Sequence, residues 1–174
     1  MILTEKGSGP EMPYHAHITR IGGLALFDLK GPPDDLRHWA SPLPAFPDTV
    51  NTLTPGPPEL LYIGRAHWLL RAPLADEAAL ETQLKPTQAP ESISIVQISD
   101  TTCFFAITGP DADQILSIAS SLDMHPTAFP ATGATYSETF GLKALISRLH
   151  DGFLIGVEQS FGDMIEDYFT RAMR

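Results

Sequence analysis

Cysteine is almost absent from this chain of 174 residues, and the single one is Cys103. One thiol cannot form an internal disulfide, and it excludes a zinc site built from several cysteines. Cys103 stands in the apolar segment TTCFFAIT, where a thiol packs as a small buried hydrophobe. A nucleophilic cysteine needs a cation or a helix N-terminus that lowers its pKa, and the neighbouring sequence offers neither. We therefore predict a structural role for Cys103.

Basic side chains and long apolar runs are also scarce. Eleven Lys and Arg residues against 21 Asp and Glu residues give a net charge of −10, which repels phosphate backbones and anionic membranes. No apolar run approaches the roughly 20 residues that span a bilayer. The first residues, MILTEKGSGPEMPYHAH, show no basic segment followed by an apolar one, as a signal peptide would. We expect a cytoplasmic protein with neither nucleic acid nor membrane as a partner.

The common nucleotide-binding and hydrolase motifs are missing. No G-x-G-x-x-G follows a strand and no G-x-x-x-x-G-K-S/T occurs, which removes the sequence grounds for dinucleotide or nucleoside triphosphate binding. Ser160 has no G-x-S-x-G setting, so serine hydrolase chemistry is not expected. No internal repeat or low-complexity tract is evident.

Hydrophobic residues make up 43% of the chain, enough for a self-sufficient core that buries roughly two-thirds of the unfolded surface. We predict a flexible arm at residues 1–14, a ferredoxin-like lobe at 15–91 and an α+β lobe at 92–174 that shares one core with the first. The fold class is therefore α+β, with two fused lobes.

The first lobe has the order β-α-β-β-α-β of the split βαβ, ferredoxin-like fold. Its predicted elements are a strand at 15–30 interrupted at Gly22-Gly23, a helix at 36–40 capped by Asp34 and Asp35, strands at 59–64 and 67–72, a helix after Asp76 and a strand at 93–98. Six prolines between Pro42 and Pro58 predict a long surface loop, because proline breaks helices and leaves central strands without a donor.

The second lobe begins with a strand at 102–108, which we expect to pair with the strand at 93–98 across the turn at 99–101. Gly109-Pro110 then opens an amphipathic helix, since proline is tolerated in a first helical turn. Strands at 134–139 and 144–149 follow, and Asp151-Gly152 indicates a hairpin to the next strand. The last helix is expected to begin at Ser160, with Asp163 in a near-match to a capping box.

Asp123 and His125 are the candidates for a binding or catalytic role. An acid and a histidine two residues apart at a helix end can orient an imidazole for proton transfer. Alternatively, His125 favours the negative helix C-terminus, and Pro126 ends the helix. His15 and His17 share a strand face but lack an evident third ligand, so we assign no metal site and no catalytic residue.

Several segments together resemble the gamma subunit of heterotetrameric sarcosine oxidase, a relative of the folate-binding domains of glycine-cleavage T-proteins. The segments are LLYIGRAHWLLRAP (60–73), SIVQISD (94–100), FFAITGPDADQIL (104–116), LDMHPTAFP (122–130) and GFLIGVEQSFGDMIEDYF (152–169). The resemblance covers residues 42–169. It rests on the order of the five segments more than on any single one. Residues 42–58 and the first residues depart from the family pattern.

The resemblance implies a small non-catalytic subunit that stabilises alpha and beta subunits in oxidative demethylation of sarcosine. The complex yields glycine, hydrogen peroxide, and formaldehyde or methylenetetrahydrofolate. FAD, FMN, NAD and tetrahydrofolate are expected in the partner subunits, and none is bound by this chain alone. Two alternatives stay open: a stand-alone tetrahydrofolate-binding one-carbon-transfer protein, and the gamma-type subunit of a related N-methylamine dehydrogenase, such as one acting on N-methylglutamate.

Overall fold

The computed structural model describes residues 14–174, in which ten β-strands and four α-helices alternate. The predicted arm at 1–14 lies outside the described residues except for Tyr14. The strands are β1 (His17–Ile21), β2 (Leu24–Lys30), β3 (Thr52–Thr54), β4 (Glu59–Gly64), β5 (His67–Pro73), β6 (Ser94–Gln97), β7 (Thr102–Thr108), β8 (Ala134–Thr139), β9 (Leu142–Leu149) and β10 (Gly152–Glu158). The helices are α1 (Pro33–Trp39), α2 (Glu77–Leu84), α3 (Ala112–Ala119) and α4 (Gly162–Ala172).

These strands form two antiparallel sheets of five strands each. The first sheet has the order β3-β4-β5-β2-β6, and the second has the order β1-β7-β10-β9-β8. Within the first sheet, β2, α1, β4, β5, α2 and β6 follow the ferredoxin-like succession, with β2 between β5 and β6. The α+β class with a ferredoxin-like first lobe is confirmed.

Two strand pairings differ from the prediction. Residues 15–30 form two strands, since the chain passes at Gly22-Gly23 from β1 in the second sheet to β2 in the first. The predicted hairpin between β6 and β7 is wrong, because β6 pairs with β2 while β7 pairs with β1 and β10. Residues 99–101 form a short 3-10 helix that carries the chain between the sheets. The two sheets are therefore not divided at residues 91 and 92, since β1 belongs to the second sheet and β6 belongs to the first.

The two sheets are built by the same succession of elements, which is an internal repeat. The series β2-α1-β3-β4-β5-α2-β6 is matched by β7-α3-β8-β9-β10-α4, with β1 as its last strand. Gly-Pro follows the first strand of each series, at residues 31–32 and 109–110, and Ala-Phe-Pro precedes the edge strand, at 45–47 and 128–130. The expectation that the chain contains no repeat is wrong.

Three apolar clusters hold four layers together. Helices α1 and α2 cover the first sheet over side chains that include Phe27 and Leu36, and α3 and α4 cover the second over side chains that include Phe105 and Phe169. The third cluster lies between the sheets, where Leu26, Leu53, Leu61 and Leu69 meet Phe104, Ala134, Leu145 and Leu154. Both sheets thus share an inter-sheet core, with a helix layer outside each.

Hydrogen bonds also join the sheets along one side. The Leu53 N–H donates to the Thr132 carbonyl over 2.8 Å, and the Ala134 N–H donates to the Asn51 carbonyl over 2.9 Å. The opposite side is bordered by the edge strands β1 and β6. Among residues 14–174, no helix has the length and apolar content needed to cross a bilayer.

Some local predictions need correction. Helix α1 begins at Pro33, with Pro32 in the capping position, instead of at a position capped by Asp34 or Asp35. Helix α4 is preceded by Phe161, and the Ser160 hydroxyl donates to Glu158, so Ser160 is not the cap. The proline-rich loop contains the short strand β3.

The same loop also contributes to the core. Phe46 is buried, and its ring centre lies 5.1 Å from that of Trp68 in an edge-to-face contact. Proline therefore excludes regular structure from most of the loop without keeping all of it on the surface.

Candidate functional site

A cavity of about 580 Å³ lies at one end of the second sheet. The turn from β7 to α3, the segment after α3 and the turn from β9 to β10 surround it. Its lining includes Gly109, Pro110, Asp113, Met124, Arg148 and Asp151. Opposite charges therefore face one recess whose volume is in the range of small-molecule sites.

The turn after β7 fixes one wall of this cavity. Gly109 has a φ of 112°, and a Cβ there would lie 2.6 Å from the His15 carbonyl oxygen, so the position requires glycine. The Gly109 N–H donates to the Asp151 carbonyl over 3.0 Å, which ties the turn to the β9–β10 hairpin. The His15 N–H donates to the Asp111 carboxylate over 2.7 Å. These contacts explain why Gly109-Pro110 starts a well-defined turn.

The Asp123 and His125 side chains do not form the acid–imidazole pair that the sequence suggests. Asp123 accepts a hydrogen bond from the His125 backbone N–H over 2.9 Å, as in an Asx turn. The His125 Nδ1 lies 2.7 Å from the Thr127 hydroxyl. Both residues are exposed, while Met124 and Pro126 line the cavity. A cofactor-binding role for Asp123 or His125 stays a prediction.

Arg148 is the cation of the cavity, and the sequence analysis did not single it out. Its guanidinium lies over the Phe153 ring at 4.7 Å and near the Phe129 ring at 5.6 Å. Nη2 donates to the Met124 carbonyl, and Nε is buried without a hydrogen-bond partner. Burial lowers the pKa of Arg148, an effect that the nearby Asp113 opposes.

The internal repeat gives the signal that would have identified Arg148. The matching contact in the first sheet is Tyr62 stacked on Trp68, with ring centres 5.2 Å apart. Register pairs Tyr62 with Trp68 and Arg148 with Phe153. At this place the second sheet therefore has a cation where the first has a second aromatic ring.

A second polar cluster lies between the sheets. Arg71 is only 3% exposed, and its Nε donates to Glu59 over 2.7 Å while its Nη1 donates to the Ser147 hydroxyl over 3.0 Å. Its guanidinium lies 6.0 Å from the Phe104 ring centre. Arg71 and Glu59 lie in the first sheet and Ser147 lies in the second, so these three polar residues join the sheets. We therefore assign this cluster a structural role.

A histidine–carboxylate pair that the sequence analysis missed joins β2 and β5. The His67 Nε2 lies 2.6 Å from the Asp28 carboxylate, and Lys30 Nζ lies 3.1 Å from its other oxygen. Asp28 and His67 are 39 positions apart, so no local sequence motif links them. With a lysine on the same carboxylate, the group resembles a partly exposed ion-pair network more than a poised base.

The environment of Cys103 agrees with its predicted structural role. The thiol is buried, and burial raises the pKa of Cys103. Arg20, which comes from β1, opposes this shift but does not outweigh it. A thiol with a raised pKa is a poor nucleophile at neutral pH.

His15 and His17 are both exposed, and His17 lies on edge strand β1. Within residues 14–174, no three His, Cys, Asp or Glu side chains come close enough together to hold a metal ion.

One known protein family matches this chain over most of its length. The sarcosine oxidase, gamma subunit family matches residues 41–172, which span both sheets. The chain belongs to this family. No protein of curated function matches the sequence. As a member of the sarcosine oxidase gamma subunit family, the chain is a subunit of that type of enzyme.

Solved structures show the same fold at low sequence identity. A chain of the heterotetrameric sarcosine oxidase from Corynebacterium sp. U-96 has a TM-score of 0.81 and 19% identity, with 91% of this chain and 83% of that chain covered. The glycine cleavage system aminomethyltransferase T from Bartonella henselae has a TM-score of 0.69 and 16% identity, with 89% and 45% covered. The gamma subunit fold thus corresponds to less than half of the aminomethyltransferase.

A more distant likeness extends over a similar share of the chain. The regulatory subunit of aspartate kinase from Thermus thermophilus has a TM-score of 0.51 and 13% identity, with 91% of this chain and 98% of that chain covered. At such identity the likeness concerns the fold alone.

Proposed function

We propose that this chain is a non-catalytic gamma subunit in a complex that oxidatively demethylates sarcosine. The family match over residues 41–172 carries the proposal. The surroundings of three side chains that could act in catalysis support it. Asp123 accepts a hydrogen bond within a turn, Cys103 is buried, and Asp28 forms ion pairs with His67 and Lys30. The chain then acts by stabilising alpha and beta subunits, where the flavins, NAD and tetrahydrofolate bind.

Exposed or partly exposed apolar residues at α4 and the β8–β9 hairpin suit this role. We name this surface the α4 patch, and it consists of Phe140, Leu142, Phe161 and Tyr168. Phe161 directly precedes α4 and Tyr168 lies on it, and they are 37% and 38% exposed. Tyr168 contacts Phe140 with ring centres 5.3 Å apart. Leu142 lines a recess together with Phe161. We propose that the larger subunits of the complex cover this patch.

Reconstitution tests the proposal. The alpha and beta subunits are expressed with and without this chain, and sarcosine-dependent hydrogen peroxide release and thermal inactivation are measured. We expect faster inactivation without the chain, and the Phe161→Glu, Tyr168→Glu variant to act like its omission, because buried charges at an interface lack partners. Val50→Glu, at a residue that is 47% exposed outside the α4 patch, is the matched control. Equal activity and lifetime with and without the chain would refute the proposal.

Reduction of an artificial electron acceptor by the same complex, with sarcosine or N-methylglutamate as the substrate, identifies the amine, because a dehydrogenase need not release hydrogen peroxide. A complex that oxidises N-methylglutamate faster than sarcosine would assign the chain to the related N-methylamine dehydrogenase. The other alternative, a stand-alone tetrahydrofolate-binding protein, draws on the cavity beside Gly109-Pro110. Saturable binding of tetrahydrofolate by the isolated chain would favour that alternative, and a flat titration would remove it.

A further inference from the structure

The cavity beside Arg148 has a charge arrangement that a structural role leaves unexplained. Arg148, Asp113, His150 and Asp151 all line it, yet Arg148 forms no ion pair with either carboxylate. Of its five N–H donors, a single Nη2 hydrogen makes a hydrogen bond, to the Met124 carbonyl. Nε is buried without a hydrogen-bond partner, and Nη1 forms no hydrogen bond with the described residues, so the guanidinium keeps donors for a ligand.

The surroundings of Arg148 hold the guanidinium in place. The Phe153 ring lies on it at 4.7 Å, and Phe129 lies at 5.6 Å. A fixed, partly desolvated guanidinium binds a carboxylate more strongly than a mobile exposed one, because little side-chain entropy is lost and the dielectric is lower. A carboxylate is therefore the group that suits Arg148.

The same cavity also has two carboxylates that favour a cation. Asp113 and Asp151 are exposed and line the cavity, and neither forms an ion pair within the described residues. The net charge of −10 and these two carboxylates disfavour a simple anion. A molecule that has both a carboxylate and an ammonium group can pair with Arg148 and with the two Asp side chains at once.

We propose that this cavity binds a small zwitterionic amino acid, with its carboxylate on Arg148 and its ammonium group facing Asp113 and Asp151. The volume of about 580 Å³ accommodates such a molecule with a side chain or an N-methyl group. This site goes beyond the proposed subunit function and does not depend on it, since a stand-alone chain would have the same cavity.

Calorimetric titration of the full chain with glycine, sarcosine, acetate and methylamine tests the proposal. We expect saturable binding of glycine or sarcosine with a Kd of about 1 mM or tighter, and binding of acetate and methylamine at least about tenfold weaker. A flat titration with both amino acids up to about 20 mM, or acetate binding as tightly as glycine, would overturn it.

Variants separate the two ends of the ligand. Arg148→Gln removes the carboxylate partner, and the Asp113→Asn, Asp151→Asn variant removes the negative charges that face the ammonium group, at two exposed positions. We expect at least about tenfold weaker amino acid binding in each, with acetate binding unchanged or tighter in the double Asn variant. Arg65→Gln and Asp100→Asn, at exposed residues outside the cavity lining, are the matched controls and are expected to bind like the wild type.

The double Asn variant keeps the proposal testable if Arg148→Gln fails to fold. Unchanged glycine and sarcosine affinities in a folded double Asn variant would contradict the assignment. Failure here would leave the reconstitution result untouched, so the two proposals are tested separately.

Discussion

Arg71→Ala is expected to lower the free energy of unfolding by about 3 kcal/mol, because it removes one partner of a buried ion pair. The substitution leaves the Glu59 carboxylate without its 2.7 Å donor and the Ser147 hydroxyl without its 3.0 Å donor. It also opens a void between the sheets, next to Phe104. Urea unfolding at neutral pH gives the loss as a shift of the midpoint at constant slope.

Two further variants distinguish the buried charge from general packing. Arg71→Met combined with Glu59→Leu replaces the pair by apolar groups of similar size, and we expect it to regain most of the lost stability. Arg65→Ala, at an exposed position, is the control and is expected to change stability by no more than about 0.5 kcal/mol. An Arg71→Ala loss no larger than that of Arg65→Ala would show that the inter-sheet cluster does not hold the layers together.

Gly152→Ala is the second substitution with a large expected effect. Gly152 opens β10, opposite Thr108 of β7 and Leu149 of β9. An added Cβ would lie 1.9 Å from the Ile107 carbonyl oxygen, which belongs to the backbone and cannot move without disturbing the strand. We expect a loss of about 3 kcal/mol or more in the free energy of unfolding, as for other severe steric conflicts.

Gly22→Ala is the matched control for this substitution. A Cβ at Gly22 meets no atom within 4 Å, and its φ lies outside the left-handed region. We expect its stability to remain within about 0.5 kcal/mol of the wild type. Similar unfolding midpoints for the two variants would contradict the strand spacing of β7 and β10 at this point.

The order of strands and helices was predictable from local patterns, but the pairing of distant strands was not. Apolar alternation and turn residues predicted the hairpins β4–β5 and β9–β10, since each needs only neighbouring residues. The crossings at Gly22-Gly23 and at residues 99–101 have turn-like sequences, yet they carry the chain between sheets. A local sequence pattern indicates that a turn is present, but it does not indicate to which sheet the next strand belongs.

The candidate site was also predictable only where local sequence patterns define it. Gly109-Pro110 and the segment around Met124 were recognised, and both line the cavity. Arg148 was missed because its significance depends on a comparison between the two repeats, in which Tyr62 occupies the matching place. The repeat itself was missed because the segment that follows α3 is longer than the one that follows α1, so the Gly-Pro and Ala-Phe-Pro motifs are spaced differently in the two halves.

The central claim, that the chain works as a docked subunit, is tested most directly by its mass and partners in the native host. A tagged copy expressed at its natural level is purified under mild conditions, its native mass is measured, and the co-purified proteins are identified by mass spectrometry. The account predicts a complex with flavin-containing alpha and beta subunits in defined stoichiometry. Recovery of the chain solely as a free monomer, in cells that express those subunits, would contradict it.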